Sequence, residues 1–70
     1  MSHFSREYMR EHMPDGEELA AVIVKLGMPY AEMVVSYHNQ IRHSNFEWYV
    51  INTYPEEAKQ IVSAAPYLLN

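Results

Sequence analysis

Apolar positions recur every three or four residues along most of the chain, a spacing that predicts helices rather than strands. The densest run is Leu19 to Ile41, which reads as two apolar helices meeting at a corner, Gly27-Met28-Pro29. In the first of these, Leu19, Val22, Ile23 and Leu26 follow the i, i+3, i+4, i+7 spacing of a buried stripe. Ala20, Ala21 and Val24 widen the stripe until little polar surface remains, as expected of a central helix touched by several neighbours. Asp15 is placed to cap it, Glu17 and Glu18 lie in its first turn, and Gly27 stands just past its end, where a positive φ costs glycine little. Pro29 suits the first turn of the next helix. There Tyr30, Met33, Val34, Tyr37 and Ile41 form the apolar side, and Glu32, Ser36, Asn39, Gln40 and Arg42 the outer side.

The first sixteen residues predict a short amphipathic helix, with Ser5 or Ser2 as N-cap. Phe4, Tyr8, Met9 and Met13 make its apolar side, while Arg6, Arg10 and Glu11 face water. Pro14 disfavours helical geometry at Met13, and Pro14-Asp15-Gly16 has turn chemistry. Beyond the central pair, His43-Ser44-Asn45 is a polar break in which Ser44 or Asn45 can cap the next segment. That segment, Phe46 to Tyr54, has the aromatic, β-branched composition of a strand. Its only pairing partner would be Val22–Val24, and a two-stranded sheet is marginal in water. A helix, with Phe46, Tyr49 and Val50 as its stripe and Trp48 and Ile51 beside it, is preferred. Thr53-Tyr54-Pro55-Glu56 then matches a capping box with Pro55 in the first turn. Ala58, Ile61, Val62 and Ala65 give the last helix its buried side, Pro66 ends it, and Tyr67-Leu68-Leu69 is an apolar tail that must dock. The expected architecture is all-α: residues 1–70 as one small domain, a compact bundle of three to five short helices around the helix–corner–helix. The runner-up is α+β, with Val22–Val24 and Trp48–Ile51 as two strands.

Composition adds a question of stability. A chain of 70 residues buries only about 60% of the surface its unfolded form exposes, and scaffolds of this size usually need a staple. There is no cysteine, so disulfides and thiolate metal sites are excluded. Hydrophobic residues make up 49% of the chain, which argues against disorder and towards self-association or a partner. No basic leader precedes an apolar core, and the run Leu19 to Val24 is far short of the roughly 20 residues that span a bilayer. A cytoplasmic protein is the expectation.

Charge and spacing then narrow the chemistry. Five Lys and Arg against nine Asp and Glu give a net charge of −4, the wrong sign for a surface built to neutralise phosphates. His38 and His43 are five apart, about 140° round a helix, and do not converge; no HExxH-type spacing is present, so no metal or cofactor is expected. There is no GxSxG elbow, and Glu17-Glu18 and Glu56-Glu57 open helices, where the helix dipole alone accounts for them. An enzyme is not expected.

Two resemblances attach to the central hairpin. Gly27-Met28-Pro29 resembles the corner of a helix-turn-helix, which would imply a transcriptional regulator reading DNA with Arg6, Arg10, Tyr30 and Arg42. The chain departs from that pattern at Ile23, where such motifs place a small residue, and at Glu32, which would lie near phosphates. Leu26-Gly27-Met28 and Asn45-Phe46-Glu47 are similar to the loop and third-helix start of a ubiquitin-associated domain, covering about Glu17 to Ile51. That resemblance implies a three-helix unit that binds a partner through its corner; the segment between the two motifs is longer than the family's, and the loop lacks its aromatic residue.

Six tyrosines, two phenylalanines, one tryptophan and five methionines are more than so small an interior needs. Tyr8, Met33, Tyr37 and Tyr49 are assigned to the core. Tyr30, Trp48, Tyr54, Tyr67 and Leu68 cannot all be buried with them, and exposed aromatic surface marks contact sites. The expected function is a small intracellular interaction or regulatory protein that docks on another protein or on a second copy of itself, through these five residues and an acidic rim.

Overall fold

Five α-helices follow the predicted order in a computed structural model that describes residues 4–40 and 45–70. They are α1 (Arg6–His12), α2 (Gly16–Lys25), α3 (Tyr30–His38), α4 (Phe46–Thr53) and α5 (Pro55–Leu68). No strand occurs among the described residues, so the α+β runner-up is set aside and 46–53 is helical. The Cα radius of gyration is 11.3 Å, against about 11 Å for a well-packed chain of this length.

The helix boundaries follow from caps. Ser5 Oγ accepts the Tyr8 N–H at 3.0 Å, and Asn45 Oδ1 accepts the Trp48 N–H at 2.9 Å. Asn45, not sheet propensity, decides the state of the aromatic segment: a helix satisfies its own backbone, whereas a strand there would have no ladder. Asp15 stands at the N-cap of α2 but makes no side-chain cap bond. At the other end Gly27 has φ +78°. Its N–H donates to Val24 C=O at 2.9 Å and the Met28 N–H to Ile23 C=O at 3.1 Å, the paired bonds of a Schellman stop.

Two sequence expectations need correction. Thr53 does not cap α5, because it is still part of α4. Tyr54 alone joins the two helices, donating its N–H to Val50 C=O and accepting the Ala58 N–H, both at 2.8 Å. Nor does Pro66 end α5, which continues through it to Leu68. Proline forfeits one backbone donor, but the last carbonyls find others. Leu69 N–H reaches Ala65 C=O at 3.0 Å, Lys25 Nζ donates to Leu68 C=O at 3.1 Å, and the Asn70 side-chain amide donates to Pro66 C=O.

The core is built from Leu19, Val22 and Ile23 of α2, Met33 of α3, Tyr49, Val50 and Ile51 of α4, and Ala58, Ile61, Val62 and Ala65 of α5, closed by Met9 and Met13. α2 is less central than its apolar coat suggests: Val24 is 60% exposed, and α2 packs only on α3 and α5. The hubs are α4, which touches α1, α3 and α5, and α5, which touches α1, α2 and α4. Ala58 and Ala65 explain the second hub, since small side chains let neighbouring backbones approach closely. Among the described residues no helix is long and apolar enough to cross a membrane.

Candidate aromatic groove and arginine–tryptophan site

The aromatic side chains segregate onto two faces of α4. On one, Phe46 is the junction. Tyr30 meets it edge-on with centroids 6.0 Å apart, and Tyr37 at 5.4 Å. Tyr49, buried, stacks at 6.2 Å from Phe46 and lies tilted at 5.5 Å from Tyr37, and Tyr54 completes the chain of rings at 5.8 Å from Tyr49. Edge-to-face and offset pairs of this kind add about 0.5–1.5 kcal/mol each beyond their burial, so these rings are held rigidly by one another as well as by the core beneath.

Above Phe46 lies a groove of about 390 Å³ between α2, α3 and α4. Tyr30, Val34, Tyr37 and Phe46 line it, Ala20 forms part of the α2 wall, and Glu17, Glu47 and His38 stand at its edges. Its described lining carries no Lys or Arg. A second trough of about 370 Å³ runs between α1 and the end of α5, where Tyr8, Met13, Val62, Ala65 and Leu69 meet Glu11 and Glu18. Tyr8, assigned to the core from its spacing, is 38% exposed there and stacks on His12 at 4.1 Å.

The opposite face of α4 carries Trp48, two residues and so about 200° round from Phe46. The guanidinium carbons of Arg6 and Arg10 each lie 5.9 Å from the Trp48 ring centroid. Arg10 is therefore half-buried rather than simply facing water, because α1 packs on α4 with Met9 inward and turns its arginines over the indole.

The five residues expected to contact a partner thus fall in three places. Tyr30 and Tyr54 belong to the same ring network, both half-buried. Trp48 sits under the arginines. Tyr67, 83% exposed, and half-buried Leu68 lie in the last turn of α5, beside Lys25. Of the DNA-contact set, Arg6 and Arg10 come together with Trp48, Tyr30 is on another side of α4, and Arg42, like His43 and Ile41, lies outside the described residues. The α3 helix, which the helix-turn-helix resemblance would place against DNA, contains Glu32 and no Lys or Arg. Phe46 and Tyr37, the centre of the groove, are absent from the sequence-based contact set; the signal available was their shared helical face with Tyr30 and Tyr49 across the polar break.

The surroundings of Tyr54 displace its ionisation. A hydrogen bond with Tyr49 is the main cause that holds its phenol above the ordinary tyrosine value, with burial and electrostatic repulsion from the Tyr49 and Glu57 side chains adding to it and a Ser36 hydrogen bond opposing. The folded state therefore holds this proton more tightly than the unfolded chain does. That stabilisation is complete below the unfolded pKa of about 10 and is lost as pH rises through the folded value. Urea midpoints taken from pH 9 to 11 should fall more steeply for the native chain than for Tyr54→Phe; parallel slopes would show that the phenol is not coupled to folding.

The fold and these surfaces define a small five-helix bundle with an apolar, acid-rimmed groove. Compared with protein-family models, curated proteins and solved structures, the chain matches none.

Proposed function

We propose that the chain is a small intracellular interaction or regulatory protein that docks a partner protein in the groove between α2, α3 and α4. The observation that carries this reading is the combination of a rigid aromatic floor with a carboxylate at each side and no cation in the described lining. Rigid aromatics give contact area at small entropic cost, the property that enriches them at interface hot spots. The occupant that fits is a short amphipathic segment with an aromatic or leucine anchor flanked by Lys or Arg, because Glu17 and Glu47 match such flanks and repel acidic ones. The groove is too small for more than a side chain or two, so the rest of the segment must lie along its rim.

Exposed ion pairs are worth about 0.2–1 kcal/mol each, and reversing two rim charges replaces attraction by repulsion. Glu17→Lys with Glu47→Lys should therefore weaken such a segment about tenfold or more, at roughly 1.4 kcal/mol per factor of ten. The test is to select binders from a displayed library of random 16-residue peptides, then titrate the best by calorimetry against the native chain and the double variant. The expected result is Lys- or Arg-flanked apolar peptides that shift the Tyr30 and Phe46 resonances and lose affinity for the variant. Peptides that bind both forms equally, or map elsewhere, would overturn it. Sedimentation in the same series detects a second copy as occupant, since a dimer formed through this groove dissociates when the peptide is added. A binding isotherm with non-specific duplex at low salt, steep in salt, would instead favour the DNA-binding alternative.

A further inference from the structure

We propose that Arg6, Trp48 and Arg10 form a second site, which takes the phosphate monoester of a phosphorylated side chain on a partner protein. The inference is independent of the groove, which lies on the other side of α4. Its origin is the spacing of the two arginines. At i and i+4 they are neighbours on one face of α1, and the packing of Met9 against the core sets that face over the indole. Both guanidinium groups then lie 5.9 Å from the ring centroid, within the range of a cation–π contact.

What the arginines lack is as informative as what they touch. The chain has nine Asp and Glu, yet neither arginine pairs with one among the described residues, where the ion pair that does form is Lys59 with Glu56 at 3.4 Å. Neither guanidinium donates a hydrogen bond to a described residue. A cation–π contact uses the charge of a guanidinium and none of its five N–H donors. Two like charges fixed side by side repel, and an anion set between them removes that repulsion while accepting charge-assisted hydrogen bonds from both forks. Holding the forks on the indole beforehand lowers the ordering entropy that two free arginines would lose on binding.

The ligand follows from counting charge. Two cations match one compact dianion, and a phosphate monoester carries close to two negative charges at neutral pH with three acceptor oxygens. A nucleic acid strand is a poorer match. Affinity there is summed over many neutralised phosphates, whereas this face supplies two cations. Glu7 and Glu11 follow the arginines in the chain, about 100° further round α1, and would repel a polyanion that extended past them. A phosphorylated side chain also brings a peptide backbone that can lie against the partly exposed indole, which inorganic phosphate cannot do.

Trp48 is the single tryptophan, so its fluorescence reports on this site alone. The experiment titrates the full chain with a twelve-residue Gly/Ala/Ser peptide carrying one phosphoserine, with its unphosphorylated form, with inorganic phosphate and with oligo(dT) of twelve nucleotides. The expected result is saturable change in Trp48 emission with the phosphopeptide, at least tenfold tighter than with inorganic phosphate and absent without the phosphate. Arg6→Gln with Arg10→Gln should abolish it, Arg6→Lys with Arg10→Lys should leave a weakened response, and Lys59→Gln should change nothing. Should the glutamine pair perturb folding, as read by helicity, the lysine pair and the Lys59→Gln control carry the comparison. No emission change with the phosphopeptide, equal response to the unphosphorylated form, or full binding by the lysine pair would each overturn the proposal. Inorganic phosphate binding as tightly would make this a free-anion site, and tighter oligonucleotide binding lost in the same variants would make it a nucleic acid contact; either outcome also overturns it.

Discussion

Leu19→Ala is expected to lower the melting temperature by about 12–24 °C, for a cost near 3 kcal/mol at about 4–8 °C per kcal/mol in a domain of this size. Leu19 is completely buried in the core, so its loss leaves a cavity that the packed helices cannot close without shifting. Buried Leu→Ala changes span about 2–5 kcal/mol according to how well the site collapses. A chain of 70 residues has roughly 4–10 kcal/mol of stability in total, so a cost near 3 kcal/mol removes about 30% or more of it. Val24, five residues along the same helix and 60% exposed, supplies the contrast: Val24→Ala should stay within about 0.5 kcal/mol of the native chain. Urea denaturation followed by circular dichroism measures both. If the two substitutions cost the same, α2 does not turn Leu19 inward and Val24 outward as described.

Gly27→Val is expected to cost about 1–2 kcal/mol, and for a different reason. A Cβ at Gly27 would meet nothing within 4 Å, so sterics with neighbours do not enter. The cost is the left-handed backbone itself: φ is +78°, a region that costs ordinary L-residues about 1–2 kcal/mol and β-branched ones the upper end of that range. Gly27→Asn, which tolerates that region, should recover a good part of the loss. Equal melting points for the valine and asparagine forms would mean that the corner relaxes to another conformation and that the Schellman bonds at Val24 and Ile23 are not holding it.

The helices were legible because their apolar stripes repeat at helical spacing: Leu19, Val22 and Ile23, and again Ala58, Ile61, Val62 and Ala65, all lie where periodicity places them. The aromatic segment was ambiguous for a physical reason, since Phe46, Trp48, Tyr49, Val50 and Ile51 pack equally well on a pleated surface. A local hydrogen bond to Asn45 resolves it. Thr53 and Pro66 misled because local rules assume a gap between helices and an unassisted helix end. The chain instead joins α4 and α5 through Tyr54 alone, and Lys25, forty-three positions away in sequence, reaches the Leu68 carbonyl. The groove and the arginine–tryptophan stack depend on tertiary register in the same way. Arg6 and Arg10 share a face in the sequence, but nothing there says that Trp48 will lie beneath them. Placing Trp48 with Tyr30 in one surface overlooked that Tyr30 packs on Phe46, and that Trp48, two residues from Phe46, points to the other side of α4.

The position of α5 in the packing also sets an order of events as the protein is made. α1, α2 and α4 all lean on α5, and α5 is the last of the five to leave the ribosome. Until then Leu19, Val22, Ile23, Val50 and Ile51 lack the part of the core that α5 supplies, and helices of 7–10 residues are too short to persist alone in water. At about 5–20 residues per second the unfinished chain spends several seconds with those side chains open to solvent. The core therefore cannot close before α5 is made, and α1, α2 and α4 gain their common support in one step rather than one by one.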